Sequence, residues 1–471
     1  MRHTVLFAML ALPLACVAQS PPNQQSPDQQ SMPGMNMPTE QPAAMQHEHR
    51  PQGTGLIAAH TEFSSGTAWQ PLDAPENMRM TMRAGWMLMA HGNLFVSFNH
   101  QGGPRGVGKL ESMSLFMLME QRKLGAGTLV LRQMFSGDAL TAPHGGFPEL
   151  FQTGETYRGR PLVDRQHAHS VFGELSLLYT RPLAEHVSWF VYGGPAAEPA
   201  LGPVAFVHRE SAAEIPAAPL AHHLQDSTHT SYGVLTTGIV LHLHPSSAAS
   251  APAGSGHYAA IKLEGSVFNG REPGEHRAAI QFGAFDSWSL RAGLDLGSRW
   301  TAQYSVGHLT HPEALEPGDI VRQTASVGYT RRFANGHWCS TLIWGRNHKV
   351  DEHSNQNSYL LESVVNFARL NYGFTRLELV DKNELFPGRP APEFDPSFAP
   401  NQPLAPQPSF RIGAFTFGGV RDLVHNQKWQ IGVGADVTVY HKPAALDPSY
   451  GRNPTSFELF VRVRPGEMKM H

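Results

Sequence analysis

The feature that most constrains the fold is a strict alternation of apolar and polar side chains across residues 287–306. In its first half, Trp288 and Leu290 fall on one parity, and Arg291 and Asp295 fall on the other. After a short polar turn the alternation resumes. Because successive side chains of a strand point to opposite faces, the run predicts a β-hairpin with one apolar face and one charged face.

The same two-faced pattern recurs in later stretches of the chain. The charged positions on the alternate face are Lys262, Glu264, Arg291, Asp295, Arg376, Glu378, Asp436, Arg462 and Arg464. A transmembrane β-barrel produces this pattern, because its apolar face meets lipid while its charged face lines the lumen. Mixed signs predict a weakly ion-selective pore, with a structural ladder of salt bridges as the alternative. A soluble β protein with wet outer faces is the alternative fold.

Composition supports an exported β protein. The 45 Gly and 37 Pro, with only 16% charged residues, predict many strands and turns. A formal net charge of -3 argues against nucleic-acid binding. Residues 1–18 are typical of a signal peptide cleaved after Ala18, with lipidation at Cys16 as the alternative. Cleavage would leave Cys339 alone, so we expect no internal disulfide.

Residues 19–53 differ in composition from the rest of the chain. They are rich in Pro, Gln, Ser and Met and almost lack aliphatic residues. Such a segment cannot bury enough apolar surface to offset its chain entropy, so we predict a disordered tail. Residues 54–471 are then expected to form the barrel.

The connections between the strand-like runs mostly alternate between short and long. The first runs predicted are 80–90 and 94–99, separated by a turn at His91-Gly92-Asn93. Membrane barrels have short periplasmic turns and long outer loops. One earlier strand within 55–65 restores that parity, and it gives a predicted total of about 18 strands, within a range of about 16–18. The same parity predicts that residues 297–299 form a periplasmic turn.

The long loops carry histidines of interest, namely His167, His169, His222, His223 and His229. Since His167 and His169 are two residues apart, an extended backbone places both imidazoles on one face. Neutral imidazole with carboxylate suits zinc, copper or nickel, although no spacing in the sequence closes a tetrahedral site by itself. The alternatives are a hydrogen-bonded cluster that constricts the lumen and a catalytic use of these loops.

A second candidate metal site lies in the tail. It comprises Met32, Met35, Met37, His47 and His49. Closely spaced thioethers and imidazoles are soft ligands that suit Cu(I). The alternative is a flexible linker without a ligand.

Several of these stretches resemble a known family. The loop segments 151–170, 193–211 and 222–233, with KLEGSVFNGREP from Lys262 and WGRN from Trp344, resemble a family of uncharacterised bacterial outer-membrane-type β-barrel proteins over residues 66–347. The resemblance implies an outer-membrane location and no particular activity. The Met- and His-rich tail by itself resembles the tails of copper-resistance outer-membrane proteins.

The sequence therefore predicts an outer-membrane β-barrel with its N-terminal tail in the periplasm. We expect a channel or binding protein for a small polar solute, and a link to copper or another transition metal is a further hypothesis. The partners expected are outer-membrane lipid and the solute. Two alternatives stay open, an outer-membrane enzyme that uses the His-rich loops and a soluble periplasmic metal-binding β protein. No G-x-S-x-G elbow supports the enzyme, and the oligomeric state is not indicated.

Overall fold

The computed structural model describes residues 64–75, 77–142, 145–226, 231–243, 259–314, 318–387 and 408–467. The predicted signal peptide and tail lie outside these residues. The same is true of the candidate ligands Met32, Met35, Met37, His47, His49 and His229. In the part of the chain that is described, no helix is long and apolar enough to cross a membrane.

The described residues are mainly strands. The first nine are β1 Met78–Arg83, β2 Trp86–Gln101, β3 Gly108–Leu124, β4 Gly127–Phe135, β5 Phe147–Tyr157, β6 Arg160–Gln166, β7 Phe172–Ala184, β8 Val187–Ala196 and β9 Val234–His242. The next ten are β10 Ala259–Phe268, β11 Ser287–Leu296, β12 Trp300–Leu309, β13 Ile320–Phe333, β14 Gly336–Lys349, β15 Ser354–Phe367, β16 Asn371–Lys382, β17 Phe410–His425, β18 Trp429–His441 and β19 Thr455–Pro465. Short helices occupy Asp138–Thr141, His222–Gln225 and Asp447–Tyr450, and 3-10 turns occupy Glu210–Ala212 and Ala444–Leu446.

Sixteen of these strands close into one antiparallel barrel. Strands β2 to β4 and β7 to β19 each pair with their neighbours, β4 pairs with β7, and β19 pairs with β2 to complete the circle. Strand β1 pairs only with β2, and β5 with β6 forms a separate hairpin. The predicted all-β antiparallel barrel is confirmed, whereas the prediction of about 18 strands is wrong.

The error in the predicted number of strands begins at β2. The turn predicted at His91-Gly92-Asn93 is wrong. Strand β2 continues through these residues, and Gly92 lies so close to β3 that an added Cβ would sit 2.5 Å from the carbonyl oxygen of Leu115. Gly92 therefore allows β2 and β3 to approach each other closely and does not form a turn. The real turn is at Ala84 and Gly85, both with positive φ.

This correction also removes the need for an extra first strand. Because β2 starts at the end of the barrel that carries the short turns, most long loops lie at the other end, and the connection between β9 and β10 is the exception. Most of the predicted 55–65 strand falls outside the described residues. Ser64 and Ser65, which are described, are buried and lie outside any strand.

The alternation in the sequence separates the two faces of the wall. In β11, Trp288 is 45% exposed and Leu290 is 56% exposed, whereas Arg291 is 4% exposed and Asp295 is 0% exposed. The same outward set of large apolar side chains continues through β17, β18 and β19. The outside of the barrel is therefore apolar, and charged side chains point inward.

The core of this protein lies inside the barrel, because three segments fold into the lumen. These are residues 64–75, the β5–β6 hairpin and residues 197–226. Thr67 donates a hydrogen bond to Glu264 on β10, and the Phe151 ring of the hairpin stacks on Tyr450 with centroids 4.2 Å apart. These contacts fill space that a porin would leave to water.

Candidate metal centre

Three buried histidines meet inside the lumen. They are His167, His222 and His223, and one ring nitrogen from each lies within 4.8 Å of the other two. The rings of His222 and His223 are 4.1 Å apart, and His167 lies 6.3 Å and 6.0 Å from them. Three imidazoles at these distances form a candidate metal site.

Two separate inserted segments supply these imidazoles. His167 directly follows β6, while His222 and His223 begin the short helix His222–Gln225. Gly154 in β5 makes room for them, since a Cβ there would sit 3.1 Å from the His223 ring. Its φ of +127° is a conformation that favours glycine.

The hydrogen bonds of the three imidazoles orient them for metal binding. Nδ1 of His222 lies 2.6 Å from the carbonyl oxygen of Pro219, and Nδ1 of His167 lies 2.9 Å from that of Ala168. Nδ1 of His223 faces the Glu272 carboxylate at 3.3 Å. Metal-bound histidines usually donate their second ring N–H to such acceptors, which leaves Nε2 as the ligand atom.

Two carboxylates each contact one of the three histidines. Oε1 of Glu155 lies 3.0 Å from Nε2 of His167, and Glu272 contacts His223. In a tetrahedral zinc site with Zn–N distances of about 2.1 Å, nitrogens lie about 3.4 Å apart. The three imidazoles would therefore need to converge by about 1 Å around an ion.

The electrostatics of the cluster keep its imidazoles neutral. Burial lowers the pKa of His222 and His223 well below the ordinary histidine value, and their proximity to His167 adds to the shift. The pKa of His167 is lowered by burial as well. Burial also raises the pKa of Glu272 to about 7. Neutral imidazoles retain the lone pair that a metal ion needs, and a cation would offset the cost of ionising Glu272.

Among the described residues, His169 is a predicted loop histidine that is not one of these three. His169 lies 5.8 Å from His167 between ring centroids, and its Nδ1 pairs at 2.6 Å with Asp138. The adjacency of His167 and His169 in sequence therefore does not make them joint ligands. His229 lies outside the described residues.

The charged residues predicted for the lumen are all buried in the inner wall. They are Lys262, Glu264, Arg291, Asp295, Arg376, Glu378, Asp436, Arg462 and Arg464. Several of them contact the inserted segments: Arg291 donates to the Gly202 carbonyl at 2.8 Å, and Glu378 accepts from the backbone of Leu220 at 3.0 Å. The wall charges therefore hold the inserted segments as well as one another.

Sequence reasoning missed the carboxylates of this site. Glu155 lies in the unpredicted β5–β6 hairpin, and Glu272 lies in the loop after β10. Both occur in the stretches that carry the family resemblance, and that resemblance was the one sequence feature that could have drawn attention to them. Their approach to the histidines depends on how the loops fold inward.

Solved structures similar to this chain include outer-membrane porins. An anion-selective porin from Comamonas acidovorans shares 10% identity over 80% of this chain and 99% of its own, with a TM-score of 0.43. Pseudomonas putida OprB shares 10% identity over 81% and 94%, with a TM-score of 0.46. Salmonella typhi OmpF, in complex with daunomycin, shares 9% over 82% and 100%, with a TM-score of 0.43. No family model matches the chain, and a search of curated proteins found no significant match.

Proposed function

We propose that the protein is an outer-membrane β-barrel that binds a transition-metal ion inside a lumen closed by its own inserted segments. The observation that carries this proposal is the buried group of His167, His222 and His223, with ring nitrogens within 4.8 Å. Imidazole with carboxylate favours zinc, copper or nickel. The ion would join the β5–β6 hairpin to the helix His222–Gln225.

The outer face of the barrel supports the membrane location. Large apolar side chains such as Leu290 and Trp429 are more than half exposed, and a soluble monomer seldom leaves so large an apolar surface in water. In an outer membrane, the short turns, including Gly297, would face the periplasm. The N-terminal tail is proposed to lie on the same side.

A second candidate function is a gated channel for a small polar solute. It is favoured by the wall charges of both signs, which would line a polar path if the inserted segments moved. In the closed arrangement Arg291 and Glu264 pair at 2.9 Å, so passage requires displacement of the segments. Catalysis by the His-rich loops stays a hypothesis.

The membrane location is tested by fractionating bacteria that express the full chain. We expect the protein in detergent-extracted outer membranes, with heat-modifiable gel migration. Recovery in the soluble periplasmic fraction would contradict this part of the proposal.

The metal site is tested by elemental analysis of the folded, detergent-purified chain after loading with Zn(II) or Cu(II). We expect the double variant His222→Ala/His223→Ala to lose one metal equivalent per chain. His186→Ala, at an exposed turn position, serves as the control and should retain it. Because all variants keep the same tail, metal bound there cancels in the comparison. Equal metal content in the folded double variant and the control would refute the site. Glu272→Gln preserves side-chain volume and should weaken binding without removing an imidazole.

A further inference from the structure

A second group of soft donor atoms lies in the lumen, apart from the three-histidine centre. Methionines occupy facing positions on the inner side of neighbouring strands: Met89 lies opposite Met119, and Met117 lies opposite Met134. Directly opposed residues of an antiparallel pair share a face. The buried members of this methionine cluster are Met78, Met87, Met89, Met117, Met119 and Met134.

Two histidines bring ring nitrogens to this cluster. Nε2 of His91 lies 3.2 Å from Sδ of Met117, and Nε2 of His208 lies 2.8 Å from Sδ of Met134. The two rings are 5.2 Å apart in an edge-to-face arrangement. Two imidazole nitrogens and two thioether sulfurs therefore converge on a small volume.

A cavity adjoins the two histidines of this group. A cavity of about 60 Å³ contacts Met78, His91 and His208, with Glu210 and Arg464 also in its lining. A cavity needs only about 10–15 Å³ to hold a single water molecule.

The simpler explanation is that the methionines only fill gaps in an apolar core. That explanation accounts for the burial of six methionines. It does not by itself explain why two histidines are buried here, where each Nε2 lies at hydrogen-bonding distance from a sulfur and an N–H donated to a thioether is only weakly accepted. Thioether with neutral imidazole is a donor set that selects Cu(I) and its chemical analogue Ag(I) over harder divalent ions.

We propose that His91, Met117, Met134 and His208 form a binding site for a soft monovalent cation, Cu(I) or Ag(I). His208 belongs to the inserted segment 197–226 and the other three belong to the wall, so the ion would bridge the two. This site uses different residues from the three-histidine centre and stands or falls independently of it.

The methionine cluster also extends toward an entrance. Met80 and Met82 lie opposite Met89 and Met87 on the same face of the β1–β2 hairpin, and they are 41% and 63% exposed. This hairpin lies at the short-turn end of the barrel. A soft cation arriving there would meet exposed thioethers before the buried site.

The test is an anaerobic titration of the folded full-length chain in detergent with Ag(I), and with Cu(I) kept reduced by ascorbate. We expect Met117→Leu/Met134→Leu to lose one tight equivalent, or to bind it at least about tenfold more weakly. Met113→Leu changes another inward-facing methionine of β3 that lies outside the cluster, and it should bind as the wild type does. Methionine-to-leucine changes usually cost less than about 1.5 kcal/mol, so the fold should persist.

A second variant and a spectroscopic measurement separate a metal site from simple packing. His208→Gln should weaken Ag(I) binding while leaving Zn(II) content unchanged. X-ray absorption of the Cu(I)-loaded chain should lose sulfur scattering in the double methionine variant. Identical isotherms for the wild type, the folded double variant and Met113→Leu would overturn the proposal and reduce the cluster to apolar packing.

Discussion

The inserted segment 197–226 is held in the lumen by a buried carboxylate, and removing that carboxylate should open the barrel. Glu214 forms ion pairs with Arg462 and, at 2.9 Å, with Arg464, both on the wall strand β19. All three side chains are buried. We predict that Glu214→Ala increases the population of conformations in which the segment leaves the lumen.

The size of the effect depends on the contacts that Arg462 and Arg464 keep after the substitution. Removing one partner of a buried ion pair typically costs about 3–5 kcal/mol. After the substitution, Arg462 still contacts Asp422 and Arg464 still donates to Gln430 at 2.8 Å. We therefore take the lower figure of about 3 kcal/mol, which at about 1.4 kcal/mol per factor of ten raises the open population about 100-fold.

The assay is ion conductance of the purified chain in planar lipid bilayers. Wild type should be mostly closed, and Glu214→Ala should open more often or for longer. Glu185→Ala, in the exposed turn after β7, is the matched control and should behave as wild type. If folded Glu214→Ala, verified by heat-modifiable migration, conducts no more than the control does, the anchoring role assigned to Glu214 is wrong.

A pH series sharpens this test. Burial disfavours the charged form of Glu214, but Arg462 and Arg464 outweigh it and hold the pKa of this carboxyl below its ordinary value of 4.5. A lowered pKa in the folded state means that the anchor is complete above about pH 4.5 and is lost only as the pH falls through the lower folded value. Wild-type conductance should therefore stay low from pH 7.5 to about pH 5.

Three further predictions concern the metal centre and the outer face. Gly154→Ala should weaken Zn(II) binding about tenfold, because its Cβ would press on the His223 ring. Gly125 also has a positive φ but lies in open space, so Gly125→Ala should leave Zn(II) binding unchanged. Equal Zn(II) affinities of the two variants would refute the packing argument. Since burial raises the pKa of Glu272 beside His223 to about 7, Zn(II) affinity should fall as the pH drops below about 7, as competition titrations would reveal. Leu290→Arg should reduce stability in lipid by about 2 kcal/mol, the lower end for the bilayer midplane, whereas Phe285→Arg in an exposed loop should leave the urea midpoint unchanged.

Some features of the metal sites were visible in the sequence before folding was known. The histidines of the loops were recognised as ligands by type, and His222 and His223 are adjacent in the chain. The methionine cluster also left a signal, since Met78, Met80 and Met82 recur at every second position, which is the period of a strand. The sequence could not join either set to its partners, because the partners lie on other segments.

The alternation of side chains by itself determined which face of each wall strand is apolar. Trp288 lies outside and Arg291 lies inside because strand geometry is local and has a period of two residues. The tertiary structure alone decided that sixteen strands close the barrel and that the long loops fold inward. These outcomes rest on contacts between distant residues, such as Arg209 with Glu362, which are 153 positions apart. No local pattern encodes such a pairing, and the same pairings determine whether the lumen is a pore or a packed interior that holds the two candidate metal sites.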